Sequence, residues 1–423
     1  MKKFEVILLM FALFGHMFFW GFYILTGRVY GGASVDNSYM AFMMAVDVIP
    51  LLLFIKYLGS KQSKKGVFAI LVVLFLYLII LLFEADLNFS YLLLKSYIAY
   101  TIPGALIGIL LAKYNEGEYF AKWLEPVMLF LTLEGIRSMS LILAFSYSEV
   151  DEFGIGVQSL SYYCAFAFSL NLYFLLFGDE IKDRFKFTQS IIYKVICILL
   201  LVIQMLVTLS SGGRGGFILA LVSAIVLVFM RFANKGHSKF QTSAALVMII
   251  TIVLVVINYL PENIINAVDT GSERTFSYIS GSGIDMTETS NRDDVYGIAM
   301  ADIRNSPVFG YGLLMKGTSA EGSHPHNIFL EVMLQGGTLY LMLFIALMIS
   351  LFKRLRRLLR NGHKTFIIPV ALYPIVMLCF SGSYITSGLF FFVITYILCC
   401  DVKIKEKVEP TIPEVSNSGL LSQ

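Results

Sequence analysis

The sequence predicts an all-α fold, a polytopic integral membrane helical bundle. Hydrophobic residues make up 57% of the 423 residues and charged residues only 14%, about half the charged fraction of an ordinary globular protein. Apolar runs of about 17 to 25 residues, long enough to cross a bilayer core as a helix, recur along most of the chain. Because these runs lack any alternation of polar and apolar residues, each is expected to be a helix.

About twelve such runs can be placed on the sequence. They are residues 5–25, 40–58, 67–83, 96–112, 123–146, 159–177, 191–210, 215–232, 243–260, 327–352, 365–381 and 384–400. The chain then divides into N-terminal transmembrane helices (1–210), a core with a large outer loop (211–352, the loop being 261–326), two last transmembrane helices (353–402) and a tail (403–423). The tail contains prolines and small polar residues, and it is expected to be disordered and cytoplasmic.

The positions of lysine and arginine predict the orientation, because cytoplasmic loops carry an excess of both. Most of the 32 such residues lie near the two termini or in loops on the same side as the termini. Both termini of this multi-pass protein are therefore predicted to be cytoplasmic. The basic run 353–360 is interpreted as a strong positive-inside anchor, with binding of anionic lipid headgroups as the alternative. The 261–326 loop is then extracytoplasmic, facing the periplasm or the exterior, and it is expected to contain short helices.

Composition and spacing argue against several classes of function. The five cysteines lie in spans or at their inner ends without metal-ligand spacing, so neither a zinc site nor a disulfide framework is expected. The formal net charge is only +3, and the basic residues lie in short inner loops, so nucleic acid is not an expected partner. No internal repeat of the kind common in secondary transporters is apparent.

Arg214 is a cation on the outer side, where lysine and arginine are rare. It lies in the turn Ser210-Ser211-Gly212-Gly213-Arg214-Gly215-Gly216 between two spans. The glycines permit positive φ angles and close approach of a ligand to backbone amides, and the positive end of the next helix begins here. The pattern predicts a site for an anion such as phosphate. The alternative is a simple glycine hairpin whose arginine reaches lipid headgroups.

The outer loop has more acidic than basic residues, so an anion would bind there only at defined arginines. Ser290-Asn291-Arg292-Asp293 predicts the start of a helix over 291–305. Its apolar face would consist of Val295, Ile298, Ala299 and Ile303. Arg292 then lies in the first turn, where the helix dipole does not favour a cation, and this placement suggests that it binds an anion. Arg274 and Arg304 are weaker candidates for the same role.

The segment His324-Pro325-His326-Asn327 closes the outer loop, and Pro325 suits the first position of a helix. His326 and the asparagine after it are therefore expected in the first turn of a membrane helix, with Glu331 on the same face. The pair Gly336-Gly337 is expected to loosen this helix near the membrane surface. Because ionisable groups at membrane depth are costly and histidine suits proton transfer near neutral pH, this face predicts a functional site.

Taken in order, these motifs resemble the bacterial O-antigen ligase and O-antigen or capsule polymerase superfamily of polyprenyl-linked glycan transferases. The matching features are the 211–215 turn, the Arg292 helix ending in Ile303-Arg304-Asn305-Ser306-Pro307, the following Gly310-Tyr311-Gly312, and His324-Pro325-His326-Asn327 with Glu331 and Gly336. They lie between residues 208 and 337, whereas the first five spans match only in hydropathy. The resemblance implies a GT-C-like glycosyltransferase architecture in a bacterial inner membrane, with no cofactor and no metal.

The resemblance also implies a reaction and roles for the site residues. A glycan would pass from undecaprenyl diphosphate to an acceptor sugar hydroxyl, with inversion at the anomeric carbon. Arg214 and Arg292 would stabilise the departing diphosphate, and His326 would deprotonate the hydroxyl. Substrate binding would involve Asn327, Glu331, Arg304, Arg274 and His324. The implied partners are the undecaprenyl-diphosphate-linked oligosaccharide, the acceptor glycan, membrane lipid and, from the same pathway, a chain-length regulator and a flippase.

Several alternatives stay open at this point. The form of the 324–331 motif favours a polymerase, but a ligase that moves glycan onto lipid A core or another acceptor would use the same donor. A flippase or other transporter would also use intramembrane charges such as Glu84, Glu125, Glu134 and Arg137. A non-catalytic scaffold would leave the candidate site residues freely replaceable. Glu134 and Arg137 are three residues apart and are expected to pair within the bundle.

Overall fold

The structure, a computed structural model, describes twelve segments of the chain. They are residues 1–27, 33–58, 64–85, 90–144, 156–181, 184–233, 259–276, 279–280, 283–284, 292–320, 324–360 and 365–401. The N-terminal helices are α1 (Lys3–Leu13), α2 (Gly15–Leu25), α3 (Ala33–Tyr57), α4 (Lys64–Glu84), α5 (Ser90–Ser96), a π-helical turn (Tyr97–Thr101), α6 (Ile102–Lys113) and α7 (Gly117–Ala144). Most of them are the apolar runs that the sequence predicts to be helices.

The C-terminal half continues with longer helices and the outer loop. It contains α8 (Val157–Phe177), 3-10 turns (Gly178–Glu180 and Lys186–Gln189), α9 (Ile191–Ser210), α10 (Arg214–Ala233), α11 (Glu262–Phe276), β1 (Ile279–Ser280), β2 (Gly283–Ile284), α12 (Arg292–Asn305), α13 (Ile328–Arg360), α14 (Ile367–Phe380), a 3-10 turn (Tyr384–Thr386) and α15 (Gly388–Cys399). The two strands form an antiparallel ladder that pairs Ile279 with Ile284 and Ser280 with Gly283. The expectation of short helices in the outer loop is confirmed by α11 and α12.

Eight of the described helices are long and apolar enough to cross a membrane, and α1 with α2 makes nine if that bent pair is one span. The prediction of a polytopic membrane helical bundle is therefore confirmed. Most of the predicted 243–260 span and the whole 403–423 tail lie outside the described residues. The predicted total of about twelve spans thus stays a prediction.

The first and the last two predicted spans differ from straight, full-length helices. The 5–25 span is bent by 69° between α1 and α2. The last two helices are short, with 14 and 12 residues, or about 21 and 18 Å against a hydrocarbon core of roughly 30 Å. Between them, Gly382 has a φ of +73°, and the Ser383 and Ser387 hydroxyls accept backbone hydrogen bonds. Tyr384 is 2% exposed, so this 381–387 segment lies inside the bundle.

The centre of the bundle is α8, which packs against α7, α9, α10 and α14. Its residues Ala165, Phe166 and Leu170 are completely buried. A second close contact joins α6 and α15, where a Cβ atom on Gly104 would lie 2.2 Å from the carbonyl oxygen of Gly388. The two glycines therefore allow the π-helical turn before α6 to lie against the start of α15.

Charged residues inside the bundle are held in different ways. Arg184 donates to the buried Glu125 carboxylate over 3.2 and 2.5 Å. The predicted pairing of Glu134 with Arg137 is wrong. Glu134 is buried, and its carboxylate has no hydrogen-bond partner within the described part of the chain. Arg137 is exposed and donates to Ser140 over 3.1 Å, because α7 turns Glu134 into the bundle and Arg137 away from it.

Candidate active site

The Arg214 turn joins α9, which ends at Ser210, to α10, which begins at Arg214. Gly212 takes a φ of +66°, and Ser161 of α8 donates to the carbonyl oxygen of Gly213 over 3.0 Å. Arg214 is half-buried and is the first residue of its helix, one residue before the predicted start of the 215–232 span. The first amides of a helix lack partners within the helix, and together with the dipole they favour an anion nearby.

The later glycines of this turn are required by helix packing. A Cβ atom on Gly213 or Gly216 would lie 2.4 or 2.1 Å from the Ser161 side chain, and one on Gly215 would lie 1.8 Å from the Tyr162 hydroxyl. The space on the Cβ side of these glycines is therefore filled by α8, and helix packing accounts for the three glycines. Anion binding on their amide side stays a prediction.

The outer loop brings a second arginine to this turn. Helix α11 packs on α9 and α10, and a Cβ atom on Gly271 would lie 2.2 Å from the Leu209 carbonyl oxygen. Arg214 donates from Nε to the carbonyl oxygen of Arg274 over 3.2 Å. The Arg274 side chain lies 3.3 Å from the position that a Cβ on Gly212 would take. Gly212, Arg214 and Arg274 thus form one group, here called the arginine cluster.

The apolar face of α12 is narrower than the sequence predicts. Ala299 and Ile303 are buried in a small core with Leu334 of α13. Val295 and Ile298 are 40% and 48% exposed. The prediction of a helix over 291–305 is confirmed, but that of a four-residue buried face is wrong for these two positions. Among the described residues, α12 packs on the first turns of α13 and on Met315 and Ala320 of the following loop, and these contacts cover Ala299 and Ile303 but leave Val295 and Ile298 partly exposed.

The two arginines of α12 lie at its opposite ends. Arg292 is its first residue, and the structure describes its backbone but not its side chain. Arg304 is exposed in the last turn. Beside it, the Asp302 carboxylate accepts hydrogen bonds from the amide and hydroxyl of Ser319 over 3.1 and 2.7 Å. The end of α12 is therefore tied to the loop that leads to the histidines.

The outer loop docks on a break in α13. Gly336 and Gly337 leave the helical conformation, as the glycine pair predicts. The carbonyl oxygens freed by the break accept hydrogen bonds from the amides of Tyr311 and Gly312, over 2.8 and 2.9 Å. A Cβ atom on Gly337 would lie 2.2 Å from the carbonyl of Val308. The Gly-Tyr-Gly and Gly-Gly motifs are therefore the two sides of one contact.

Glu84 fixes the next part of the same loop. This residue ends α4, and its carboxylate accepts hydrogen bonds from the amides of Leu313 and Leu314 over 3.3 and 2.8 Å. The sequence suggests Glu84 only as a possible charge of a transport pathway. Its contacts give it a structural role in holding the outer loop.

His326 lies outside the helix that follows it. Helix α13 begins at Ile328, and the Oδ1 atom of Asn327 accepts hydrogen bonds from the amides two and three residues further on, over 3.0 and 3.3 Å. The prediction that Pro325 opens the helix is therefore wrong. Asparagine is a strong N-cap because its side chain satisfies the first amides. His326 takes a φ of +53°, in the left-handed region.

His324 and His326 form a pair of rings with centroids 4.6 Å apart and planes at 73°. Both residues are half-buried, and Pro325 between them is buried. Burial, with a smaller contribution from His326, lowers the pKa of His324 from 6.5 to about 4. His324 is therefore uncharged near neutral pH, and it places no positive charge beside His326.

Glu331 and Gln335 face protein and not an open cavity, being 1% and 3% exposed. The Glu331 carboxylate accepts hydrogen bonds from the Ser383 hydroxyl and, over 3.4 Å, from the Tyr384 amide. Gln335 donates to the carbonyl oxygen of Leu313 over 3.1 Å. This network joins the first turns of α13 to the 381–387 segment and to the outer loop. No sequence motif singles out Ser383 and Tyr384, whose only signal is a polar stretch between two apolar runs.

A cavity of about 310 Å³ is lined by residues that contact the Arg214 turn and by residues of the 381–387 segment. Tyr162, whose hydroxyl lies against Gly215, forms part of its wall. Ser381, Thr386 and Ser387 of the 381–387 segment form another part. Residues of the N-terminal helices, where the sequence offers no site candidate, supply much of the rest of the wall, and α8, α14 and α15 add further residues such as Tyr163, Tyr373 and Leu389.

Within the described residues, no group of three or more His, Cys, Asp and Glu side chains could hold a metal ion. None of the five cysteines forms a disulfide in the described structure. The expectation that neither metal nor cofactor is required stays a prediction.

The comparisons with known proteins bear on the core of the chain. Residues 196–345 match a family model described as O-Antigen ligase. The match covers roughly a third of the chain, and it confirms the resemblance to the O-antigen ligase and polymerase superfamily. Members of that family are membrane enzymes of glycosyltransferase type, which act on a lipid-linked glycan and an acceptor. No curated protein and no solved structure matches the chain.

Proposed function

From the O-antigen ligase match of residues 196–345, we propose that this protein transfers glycan repeat units from undecaprenyl diphosphate to an acceptor sugar hydroxyl. The product would be a longer O-antigen or capsular polysaccharide, so the protein acts as a polymerase. Transfer inverts the anomeric carbon and needs neither a metal nor a cofactor. The observation that carries the proposal is that all eight candidate site residues, from Arg214 to Glu331, lie inside the matched segment.

The arginines act on the leaving group. When the acceptor oxygen bonds to the anomeric carbon, the bond from that carbon to the diphosphate breaks and negative charge grows on the diphosphate. Arg214, at the positive end of α10 and joined to the Arg274 backbone, supplies a fixed cation for that charge. Arg292 and Arg304, at the two ends of α12, are proposed to bind phosphate or sugar next to it.

His326 accepts the proton from the attacking hydroxyl. It lies just before α13, and its ring contacts the uncharged ring of His324. Asn327 and Glu331 are proposed to act mainly by holding other parts of the site in position. Asn327 caps the helix that follows His326, and Glu331 binds the 381–387 segment that lines the cavity.

We place the protein in a bacterial inner membrane, with both termini in the cytoplasm and the site facing the periplasm or exterior. The architecture proposed is GT-C-like, and the predicted parts 1–210, 211–352, 353–402 and 403–423 serve as its working divisions. The donor would arrive from a flippase, and a chain-length regulator would be a partner of the growing glycan.

A ligase is the second candidate, because the description of the matching family is O-Antigen ligase. In that case the same site transfers a finished glycan to lipid A core or another acceptor. A transporter finds less support, since Glu125 is paired with Arg184 and Glu84 holds outer-loop amides. These two charges therefore have structural partners and need no transported ion.

The test is surface glycan on a strain that lacks the gene, complemented with wild type, Arg214→Ala, Arg292→Ala or His326→Ala. Lys316→Ala is the matched control, because Lys316 is an exposed outer-loop cation outside the proposed site. Immunoblots of membranes check that each variant reaches normal levels. The polymerase proposal expects long chains with wild type and Lys316→Ala, and single repeat units with the other three.

Other results separate the alternatives. Long chains that accumulate on the polyprenyl lipid but never reach their acceptor would identify a ligase. Normal glycan from all three site variants at normal membrane levels would contradict the catalytic proposal and favour a transporter or a scaffold.

A further inference from the structure

The N-terminal helices carry a polar group that the proposed chemistry does not use. The His16 ring nitrogen lies 2.5 Å from the Tyr39 hydroxyl, which lies 2.5 Å from the Tyr100 hydroxyl. Asp47 lines the same 310 Å³ cavity as His16 and Tyr100. Its buried Oδ2 atom has no hydrogen-bond partner among the described residues. Since a buried polar atom without a partner costs free energy, this oxygen points to a bound polar group.

The backbone around the cavity is distorted at three places. His16 follows the 69° bend between α1 and α2, and Tyr100 lies in the π-helical turn Tyr97–Thr101. The third place is the non-helical 381–387 segment. Irregular backbone inside a membrane bundle is tolerated where it lines a cavity, and π-helical turns are frequent at functional sites. The three distortions therefore converge on one site.

The chemistry of the wall narrows the class of ligand. Hydroxyl groups come from Ser96, Ser159, Ser381, Thr386 and Ser387, and aromatic rings from Tyr100, Tyr162, Tyr163 and Tyr373. Among the described residues that line this cavity, none is a lysine or an arginine. A carboxylate without a cation disfavours phosphate, whereas hydroxyls and aromatic rings suit a neutral polyhydroxyl ring. At about 310 Å³ the space is at the lower end of ligand pockets, and a single metal ion would leave most of it empty.

We propose that this cavity is a subsite for a neutral sugar ring, in which Asp47 and the His16–Tyr39–Tyr100 chain bind the sugar hydroxyls. This proposal rests on the proposed function, because it identifies the bound ring as part of the transferred glycan or of the acceptor glycan. The cavity wall reaches the Arg214 turn through Tyr162, whose hydroxyl lies against Gly215, and it reaches the Glu331 network through the 381–387 segment. These two contacts connect a ring held in the cavity to the elements that carry Arg214 and Glu331.

Binding can be followed by tryptophan fluorescence. The chain has two tryptophans, and the Trp20 ring lies 5.5 Å from that of Tyr39. In a Trp123→Phe background, Trp20 alone reports on the cavity. The purified protein is titrated with the free repeat-unit oligosaccharide, released by mild acid from the lipid-linked donor of the deletion strain. Inorganic pyrophosphate and sodium chloride are titrated in parallel.

The variants are Asp47→Asn and Tyr100→Phe, and the second removes only a hydroxyl in case the first does not fold. The matched control is Asp36→Asn, the same change at an exposed position on the same helix. We expect a saturable fluorescence change with the oligosaccharide in wild type and Asp36→Asn. In both cavity variants the affinity for the oligosaccharide should be lower by about tenfold or more. In transfer assays the cavity variants should raise KM by a similar factor and change kcat by less than about threefold.

Three results would overturn the subsite. One is transfer by wild type without any saturable signal from the oligosaccharide. Another is a signal produced by sodium alone, which would indicate a cation site. The third is unchanged affinity and KM in both cavity variants. If wild type binds the oligosaccharide with the expected dependence on Asp47 but transfers nothing, the subsite stands and the proposed function fails.

Discussion

His326 combines a chemically suited side chain with an unusual backbone. Its φ of +53° lies in the left-handed region, which costs most residues about 1 to 2 kcal/mol. Strained positions of this kind concentrate at functional sites. Asparagine tolerates the same conformation but cannot act as a base near neutral pH.

His326→Asn should therefore separate backbone geometry from chemistry. We expect a thermal unfolding temperature close to that of wild type, and a loss of transfer of about 10² to 10⁴-fold, the usual contribution of a general base. The measurements are unfolding in detergent and the rate of glycan transfer. Retention of wild-type transfer by His326→Asn would show that His326 is not the base.

Arg214 should not be replaceable by lysine. The guanidinium donates from Nε to the Arg274 carbonyl oxygen over 3.2 Å, and its other donors then face a fixed direction. Lysine keeps the charge but lacks the planar fork. We expect Arg214→Lys and Arg214→Ala to lower kcat, the alanine variant by about 10² to 10³-fold. A kcat near wild type in Arg214→Ala, with only KM raised, would assign Arg214 to binding alone.

His324 should make stability depend on pH. Burial lowers its pKa from 6.5 to about 4, so between these values the unfolded chain binds more protons than the folded one. The contribution of His324 is fully present above pH 6.5 and is lost as the pH falls toward 4. The unfolding temperature of wild type minus that of His324→Gln should fall over this window. A difference that is constant from pH 8 to about 4 would contradict the assignment.

At the scale of elements, the break in α13 is the joint that holds the outer loop. Gly337 has a φ of +62°, and a Cβ atom there would lie 2.2 Å from the Val308 backbone. Gly337→Ala should therefore cost at least about 2 kcal/mol and release the loop. Limited proteolysis and thermal unfolding measure the two effects.

The control for this joint is Gly297→Ala. Gly297 lies within α12, and a Cβ atom there would meet nothing within 4 Å. Alanine at that position should leave stability unchanged or raise it by up to about 1 kcal/mol. Equal sensitivity of both variants to proteolysis would contradict the role given to the break.

Local signals predicted the elements well wherever a side chain acts on its own helix. Pro307 and the polar start at residue 290 place α12 within one residue of its observed bounds. Proline is typical of the first helical position, so the pattern predicts that α13 starts at Pro325, three residues before its observed start. In the structure Asn327 caps the helix instead, and α13 begins at Ile328. Val295 and Ile298 were assigned to a buried face because periodicity does not tell how much of a helix its neighbours cover.

At the scale of the whole molecule, hydropathy predicts which segments are in the membrane but not which of them meet. The tyrosine and aspartate residues that line the cavity lie on α3, α8, α14 and the π-helical turn, and each is ordinary in its own segment. The arginine cluster likewise depends on α11 docking through Gly271, which no local pattern reveals. Sequence motifs therefore predict the site residues that lie within them. They do not predict site residues that come together only through the packing of helices.

In the proposed function, this one membrane protein transfers glycan, and the residues near Arg214 and His326 carry out the transfer. The direct test is transfer by the purified protein in lipid vesicles, with the lipid-diphosphate-linked repeat unit as donor and EDTA present. We predict that wild type and Lys316→Ala lengthen the glycan, whereas Arg214→Ala and His326→Ala, folded to the same extent, do not. Transfer by both site variants at the wild-type rate, or none by folded wild type supplied with donor and acceptor, would contradict the claim.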